Sequence, residues 1–383
     1  MSKKLVFVSN YLSHYSKTIS EAFIKIYGDD FMFIAFTPFN EKRLAAGFHD
    51  MNQENFVFRA YESPENLQEA KRIIDEAECV IIGGMPVSYV ASRLKLGKIT
   101  FMQSERFFKG PIWKDIIRFA KYLKYSGGRA QARDPNAKFY LLCNGAFVAN
   151  DYNLCGLFKN KAYRWGYFPD LKLYDDIEAL ISQKEPARIL WAGRFLNWKH
   201  PDLAVILAKN LKNMNVNFKL KIIGSGEMND TLAGMIDAMN LHDCVELSGA
   251  LPTEQVREEM EKSQIFLFTS DRGEGWGVVL NEAMNSACAV VASEKIGAAP
   301  FLIKHGFNGL IFHDQDIEDL TRQVVNLLRN SQVASFIGQN AYKTLCNEWN
   351  ADIAAKRFVK LAENLKVKSE PVTLWENGPC SLI

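Results

Sequence analysis

The stretch Thr269–Ala292, TSDRGEGWGVVLNEAMNSACAVVA, gathers the residue types best suited to chemistry in this chain. Three glycines, Gly273, Gly275 and Gly277, lace a loop between an apolar run ending near Ser270 and a helical run starting near Val278. Glycine lets a main chain come close to a ligand. The start of a helix offers unpaired N–H groups and the positive end of a dipole, which suit a phosphate. Two carboxylates share the stretch, Glu274 in the loop and Glu282 on the helix, with seven residues between them. A carboxylate beside a phosphate is electrostatically unfavourable unless it faces hydroxyls. Glu274 and Glu282 therefore suit the hydroxyls of a sugar or a ribose, because one carboxylate accepts from two of them at once. Two further runs spell ligand motifs but read otherwise. Gly224-Ser225-Gly226 has Asn229 where a dinucleotide fingerprint needs a third glycine, so it reads as a tight turn with a phosphate near it. Asp314-x-Asp316 spells a metal-binding pair, but it precedes the helical run Ile317–Arg329 and reads as a helix cap. No cluster carries the ligands of a dedicated metal site, and no metal or cofactor is expected.

These residues need elements to hold them. The first half of the chain alternates β-rich runs with periodic helical segments. The strands are expected at Leu5–Ser9, Phe31–Thr37, Phe56–Arg59, Cys79–Ile82, Lys98–Gln103 and Lys138–Cys143, and the helices at Thr18–Tyr27, Glu65–Glu76 and Ile112–Lys124. Strands that are apolar throughout and alternate with helices predict a parallel sheet covered on both faces. Phe168–Ala187 breaks the rhythm with Pro169, Pro186 and a polar interior, and reads as an interdomain linker. The rhythm then restarts, with strands at Arg188–Ala192, Phe218–Ile223, Cys244–Leu247, Gln264–Thr269 and Ala289–Ala292. Helices fall at Pro201–Met214, Asp230–Met239, Thr253–Lys262 with Thr253 as its cap, and Val278–Ser286. The expected division is a first α/β domain over 1–168, a linker over 169–187 and a second α/β domain over 188–348. A helix and tail over 349–383 would pack back on the first domain. Two doubly wound domains in tandem place a cleft between the carboxyl ends of two sheets.

The run Glu274–Met284, EGWGVVLNEAM, resembles the two-glutamate motif of the retaining family 4 glycosyltransferases. Four more segments match that family in order. They are Gly193-Arg194-Phe195-Leu196-Asn197-Trp198-Lys199, Ile223-Gly224-Ser225-Gly226, Val245-Glu246-Leu247-Ser248-Gly249 and Gly306-Phe307-Asn308-Gly309-Leu310-Ile311. The resemblance covers Arg188–Phe312 and implies the GT-B fold, two Rossmann-like domains facing across a cleft. It implies a hexosyltransferase that moves a sugar from a UDP-linked donor to a hydroxyl of a glycan or lipid-linked acceptor, with retention. Arg194 and Lys199 would clamp the donor diphosphate, beside Gly193 and Gly224. Two cations there can neutralise a leaving group that gains charge as the glycosidic bond breaks. Glu282 would hold the ribose and Glu274 the donor sugar. The loop Gly275, Trp276, Gly277, Val278 and Val279 would cradle sugar and phosphates, and the main chain near Leu251 would read the base. Trp276 stands at the family's aromatic position and reads as a packing residue of the loop. The chain departs from the family at His200, where glycine is frequent, at Phe301, where glutamate is common, and at Gln103-Ser104-Glu105-Arg106, where many relatives have a histidine.

Asn10, His14 and Glu105 fall at the carboxyl ends of strands in the first domain, where residues that contact an acceptor or orient a sugar gather. Each has a plain alternative as a structural hydrogen-bonding residue. Lys plus Arg total 46 and Asp plus Glu 44, a net charge of +2 that gives no global reason to bind nucleic acid. Seven scattered cysteines without CxxC spacing read as reduced thiols, and no run approaches a membrane span, so a cytoplasmic protein is expected. Charge is nevertheless one-sided over Lys109–Arg133, seven basic residues against Asp115, a local +6. There Ile112, Ile116, Phe119 and Leu123 fall on one helical stripe, and Lys114, Arg118, Lys121 and Lys124 on another. The apolar stripe can cover the sheet while the basic one meets an anionic membrane at the inner face. Two other functions fit the same motifs, a sugar-nucleotide epimerase of the same fold and a non-catalytic sugar-nucleotide-binding module.

Overall fold

Apolar strands build two parallel sheets, each wrapped by helices. The computed structural model describes residues 2–40, 49–110, 113–117, 120, 128–368 and 370–383. The chain divides into two units, Met1–Pro169 with Glu348–Ile383, and Asp170–Asn347.

The first unit holds seven strands, β1 Leu5–Ser9, β2 Phe31–Ala35, β3 Val57–Arg59, β4 Cys79–Gly83, β5 Thr100–Ser104, β6 Phe139–Asn144 and β7 Ala162–Trp165. Their order is β3-β2-β1-β4-β5-β6-β7, so the order reverses between β1 and β4. β1 and β4 are buried along their whole length, which is why their sequences are continuously apolar. A fully buried guanidinium, Arg93, ties this sheet to its helices. It donates to the carbonyls of Ile74, Ala77, Glu78 and Ile99 and to Thr100 Oγ1 at 2.6–3.3 Å, and burial pulls its pKa down to about 10. Four of these bonds satisfy carbonyls at helix or strand ends that the fold removes from water.

The C-terminal segment belongs to this unit. The helix Ala351–Val367 lies against the helix His14–Tyr27, with the Phe358 ring 5.4 Å from Phe23 and 4.8 Å from Phe101, and with Lys25 paired to Asp352 at 2.9 Å. The last residues run antiparallel to β7. Arg164 N donates to Ser381 O, Cys380 N to Arg164 O, and Ile383 N to Ala162 O, at 2.8–2.9 Å. The tail thereby satisfies edge groups of β7 that would otherwise offer a template for another chain.

The second unit holds β8 Glu185–Ala192, β9 Lys219–Ile223, β10 Val245–Leu247, β11 Ser263–Phe268, β12 Ala289–Ser293 and β13 Leu310–Phe312. The order is β10-β9-β8-β11-β12-β13, reversing between β8 and β11. The stretch 169–187 is not a free linker. It carries the helix Ile177–Ser182 and the start of β8, and Lys172 N donates to Asn285 Oδ1 at 2.9 Å. The buried Lys184 donates to the carbonyls of Met260, Glu261 and Ser263 at 2.9–3.0 Å, and burial lowers its pKa. These partners lie some eighty residues downstream, so the polar composition that suggested a linker serves packing instead. Thr253 does not cap its helix. Pro252 occupies that position, with no side-chain bond. Asp316 does cap the helix Ile317–Arg329, its carboxylate accepting from Glu318 N and Asp319 N at 3.0 and 2.9 Å.

Much of the basic segment Lys109–Arg133, including Ile112, Arg118, Phe119 and Lys121 to Lys124, lies outside the described residues. Of the expected apolar stripe only Ile116 is among the described residues. Ile116 is 57% exposed, as are Trp113 and Ile117 by more than half, whereas Asp115 is buried and accepts from Gly110 N at 2.9 Å.

Candidate active site

Two loops meet where the strand order reverses in the second unit, one after β8 and one after β11. Ligands of open parallel sheets bind at such reversals, beyond the carboxyl ends of the strands. The first loop carries Gly193 to His200 and the second Thr269 to Val278. Thr269 stitches them together, its single hydroxyl proton shared between the carbonyls of Lys199 and His200 at 2.9 and 2.8 Å while its oxygen accepts from Trp191 Nε1 at 2.8 Å. Asp271 N donates to Trp198 O at 3.0 Å.

This stitching brings Lys199 against Glu274 as an ion pair, with both side chains largely shielded from water. Ser270 Oγ donates to the same Glu274 carboxylate at 3.3 Å, and the Lys199 ammonium lies 4.7 Å from the centre of the Trp198 ring and 5.5 Å from that of Phe268. An ammonium has three donors, so Lys199 can hold Glu274 and still reach a phosphate oxygen. Arg194 is exposed, and among the described residues no acceptor bonds its guanidinium. Glu282 stands on the helix Val279–Asn285, where burial pushes its carboxyl pKa up against the opposing Arg257 charge. Among the described residues no donor reaches that carboxylate, and the main-chain N–H groups of Gly277, Val278 and Val279 have no acceptor. Trp276 is turned into the core, with Nε1 donating to Asn281 Oδ1 at 2.9 Å, so only its main chain borders the loop. Gly224 lies against Gly193, where a Cβ would fall 1.8 Å from Gly193 O, so only glycine lets these two turns nest. Leu251 is half-buried in the loop before the helix Thr253–Lys262.

His200, which the sequence marks only as a departure from a frequent glycine, has a structural part of its own. It stands in the left-handed region, φ 50° and ψ 53°, just before Pro201. That conformation costs a non-glycine residue about 1–2 kcal/mol. Its imidazole lies between Asp202 at 3.7 Å and Asp271 at 3.4 Å, and the two carboxylates push its pKa from 6.5 up to about 9. The cation thus ties the Lys199 loop to the Glu274 loop. A raised pKa means that this stabilisation is complete below pH 6.5 and is lost as pH rises through about 9. The melting temperature of the wild type is expected to fall more between pH 6.5 and pH 9 than that of His200→Gly. Parallel pH profiles would show that the imidazole carries no such tie.

A second site lies in the first unit, again at the reversal of strand order. A pocket of about 620 Å³ opens at the carboxyl ends of β1, β4, β5 and β6, lined by Asn10, Gly84, Gln103, Glu105 and Asn144 among others. Asn10 and Glu105 are therefore brought together. His14 is not among the lining residues; its ring lies tilted by 49° against Tyr15, 3.7 Å between centroids, and Tyr15 faces the pocket instead. Glu105 pairs with Lys109 and accepts from Tyr167 Oη at 2.8 Å. Tyr167 and Asn144 carry no motif and are found only through the fold, whereas Gln103 stands in the segment that the sequence marked as a departure from the family. Asp314 and Asp316 stand apart from both sites, Asp314 accepting from Ser293 Oγ at 3.2 Å. Among the described residues no group of three or more His, Cys, Asp or Glu side chains is placed to hold a metal ion.

Residues 175–344 match the family Glycosyl transferases group 1. The match contains Arg194, Lys199, Glu274 and Glu282, and excludes the pocket of the first unit. The amylovoran biosynthesis glycosyltransferase AmsK of Erwinia amylovora is 29% identical over 219 residues, 55% of this chain and 52% of that protein. The poly(ribitol-phosphate) alpha-N-acetylglucosaminyltransferase of Staphylococcus aureus is 28% identical over 170 residues, 44% of this chain and 34% of that protein. The chain thus spans about half the length of the first relative and about a third of the second. A crystal structure of Anabaena HepE in complex with UDP superposes with a TM-score of 0.65 at 14% identity, covering 95% of this chain and 100% of that one. The fold is GT-B.

Proposed function

We propose that this chain is a retaining glycosyltransferase of polysaccharide biosynthesis. It takes a sugar from a UDP-linked donor and passes it to a hydroxyl of a glycan or lipid-linked acceptor. The observation that carries the reading is the pairing of Lys199 with Glu274 at the reversal between β8 and β11. It joins a phosphate-directed cation to a sugar-directed carboxylate, beside Arg194 and Glu282, whose charged groups have no hydrogen-bond partner among the described residues. The relatives support the same chemistry, since one makes an alpha-linked glycoside by its name and HepE was solved with UDP.

In this reading UDP lies along Gly193, Gly224 and the Gly277–Val279 main chain, with its base near Leu251. Glu282 accepts from the ribose hydroxyls and Glu274 aligns the sugar. As the bond from the anomeric carbon to the phosphate oxygen breaks, that oxygen takes the proton of the incoming acceptor hydroxyl, whose oxygen bonds the same face of the carbon. Arg194, Lys199 and the free N–H groups hold the charge left on the diphosphate. Positive charge comes from side chains, so the reading invokes no metal, and transfer should persist in excess chelator.

Titration with UDP tests the donor site. Glu282→Ala should weaken UDP by roughly tenfold or more, the scale of one or two hydrogen bonds to a charged group. Unchanged affinity would remove Glu282 from the ribose. The acceptor is assigned to the pocket of the first unit. Among the described residues no helix is long and apolar enough to cross a membrane. The exposed Trp113, Ile116 and Ile117 beside Lys114 support peripheral contact with an anionic lipid surface. Salt-sensitive co-sedimentation with anionic vesicles checks it, and no binding at low salt would reject it.

A further inference from the structure

We propose that the pocket of the first unit recognises a neutral sugar ring through its free hydroxyls, so that the acceptor ends in an uncharged glycose and not in a phosphodiester or a uronic acid. The pocket itself stands independently of the glycosyltransferase reading; only the word acceptor rests on it.

Hydrogen-bond bookkeeping fixes what a ligand must offer. Tyr167 Oη donates to Glu105 Oε1 at 2.8 Å. A phenol has one proton, so towards the neighbouring Asn144 side chain its oxygen can only accept. The Asn144 amide nitrogen therefore faces Tyr167, and its orientation is set by the network. This leaves Asn144 Oδ1 without a donor, on a side chain only 2% exposed. Gln103 Oε1 is likewise buried and unpartnered, and among the described residues its amide bonds to no protein group. Orphaned buried acceptors are costly in a folded protein unless a ligand or water supplies the proton. Two amide acceptors and a carboxylate on one pocket wall ask for hydrogen-bond donors. The Gln103 amide, without a protein partner among the described residues, carries a donor and an acceptor side by side, the complement of a vicinal diol.

Charge narrows the choice. Among the lining residues both cations are engaged: Lys109 pairs with Glu105, and the largely buried Arg106 lies 3.8 Å from Asp151 and over the Phe147 ring. An anionic ligand group would meet Glu105, Asn144 Oδ1 and Gln103 Oε1 with both cations already engaged. Tyr15 and Tyr167, with ring centroids 5.0 Å apart, add an aromatic wall against which the C–H face of a sugar ring can rest.

The probes are methyl glycosides of glucose, galactose, mannose and N-acetylglucosamine, set against methyl glucuronide and ribitol 5-phosphate. Binding to the full chain is read by saturation-transfer NMR and titration, and UDP affinity is measured on the same samples. At least one neutral glycoside is expected to bind, and Gln103→Met to weaken it about tenfold, the worth of one or two neutral hydrogen bonds. Gln103→Glu, which keeps the acceptor, should lose less, and UDP affinity should not change in either variant. Among the described residues the Gln103 side chain bonds to no protein group, so the methionine removes no hydrogen bond of the fold. Binding by the anionic probes alone, by none of the neutral ones, or with equal strength in Gln103→Met would overturn the proposal. Loss of UDP binding in the wild type would instead sink the donor reading and leave the pocket result standing.

Discussion

Arg194→Ala and Lys199→Ala are each expected to lower transfer by ~10²–10³, the range for removing one preorganised charge stabiliser from a transition state. The two variants should differ in stability. Arg194 is exposed and makes no protein bond among the described residues, so its loss should leave the melting curve unmoved. Lys199 is the partner of Glu274, and its removal strands a carboxylate that is largely out of water. That should cost about 1–3 kcal/mol as well as the rate. Because the lost interactions strengthen as the diphosphate leaves, kcat should fall more than KM rises. Rates near wild type in both variants would remove the diphosphate clamp from the account.

Gly277→Ala should be the most damaging single methyl group in the donor loop. Gly277 has φ +92°, and a Cβ there would lie 2.5 Å from two ring atoms of Phe268 and 3.1 Å from Glu274 Cγ. Phe268 is 3% exposed at the end of β11 and has no free space to enter. Either the ring shifts in the core or the loop lifts, at about 2–4 kcal/mol for overpacking and backbone strain together. Lifting the loop would also displace the N–H groups of Gly277 to Val279 and the Glu274 carboxylate, so UDP affinity should fall with stability. Gly234→Ala, in the helix Asn229–Ala238, is the control. Its Cβ meets nothing within 4 Å, and the change should be neutral or mildly stabilising. Equal melting temperatures for the two variants would contradict the close packing of Phe268 on Gly277.

Strands such as β1, β4 and β12 were readable in the sequence because they are buried on both faces and therefore apolar without interruption. The glycine loop and its two glutamates were readable because their spacing is local. The short strand β7, AYRW, carries no such signal, and its outer edge is satisfied by Ser381 and Ile383, more than two hundred residues away. The same limit hid the Lys199–Glu274 pair and the Asn144–Tyr167–Glu105 network, which the sheets assemble from distant loops. His200 looked like a departure from a family glycine. Its left-handed conformation keeps the glycine's backbone role, while the imidazole adds a tie to Asp271 that glycine lacks. Lys184 misled in the opposite sense, since a lysine in a polar stretch reads as solvated until its three carbonyl partners are known.

The central claim is that a sugar leaves its diphosphate on the face that the acceptor enters. Slow hydrolysis tests it without knowledge of the acceptor, because water then takes the acceptor's place. Proton NMR would follow the first free sugar released from UDP-glucose, UDP-galactose or UDP-N-acetylglucosamine, before mutarotation. The account predicts that the α-anomer appears first, together with UDP, and that Lys199→Ala slows both. A β-anomer appearing first, or an epimerised sugar nucleotide without UDP release, would contradict it.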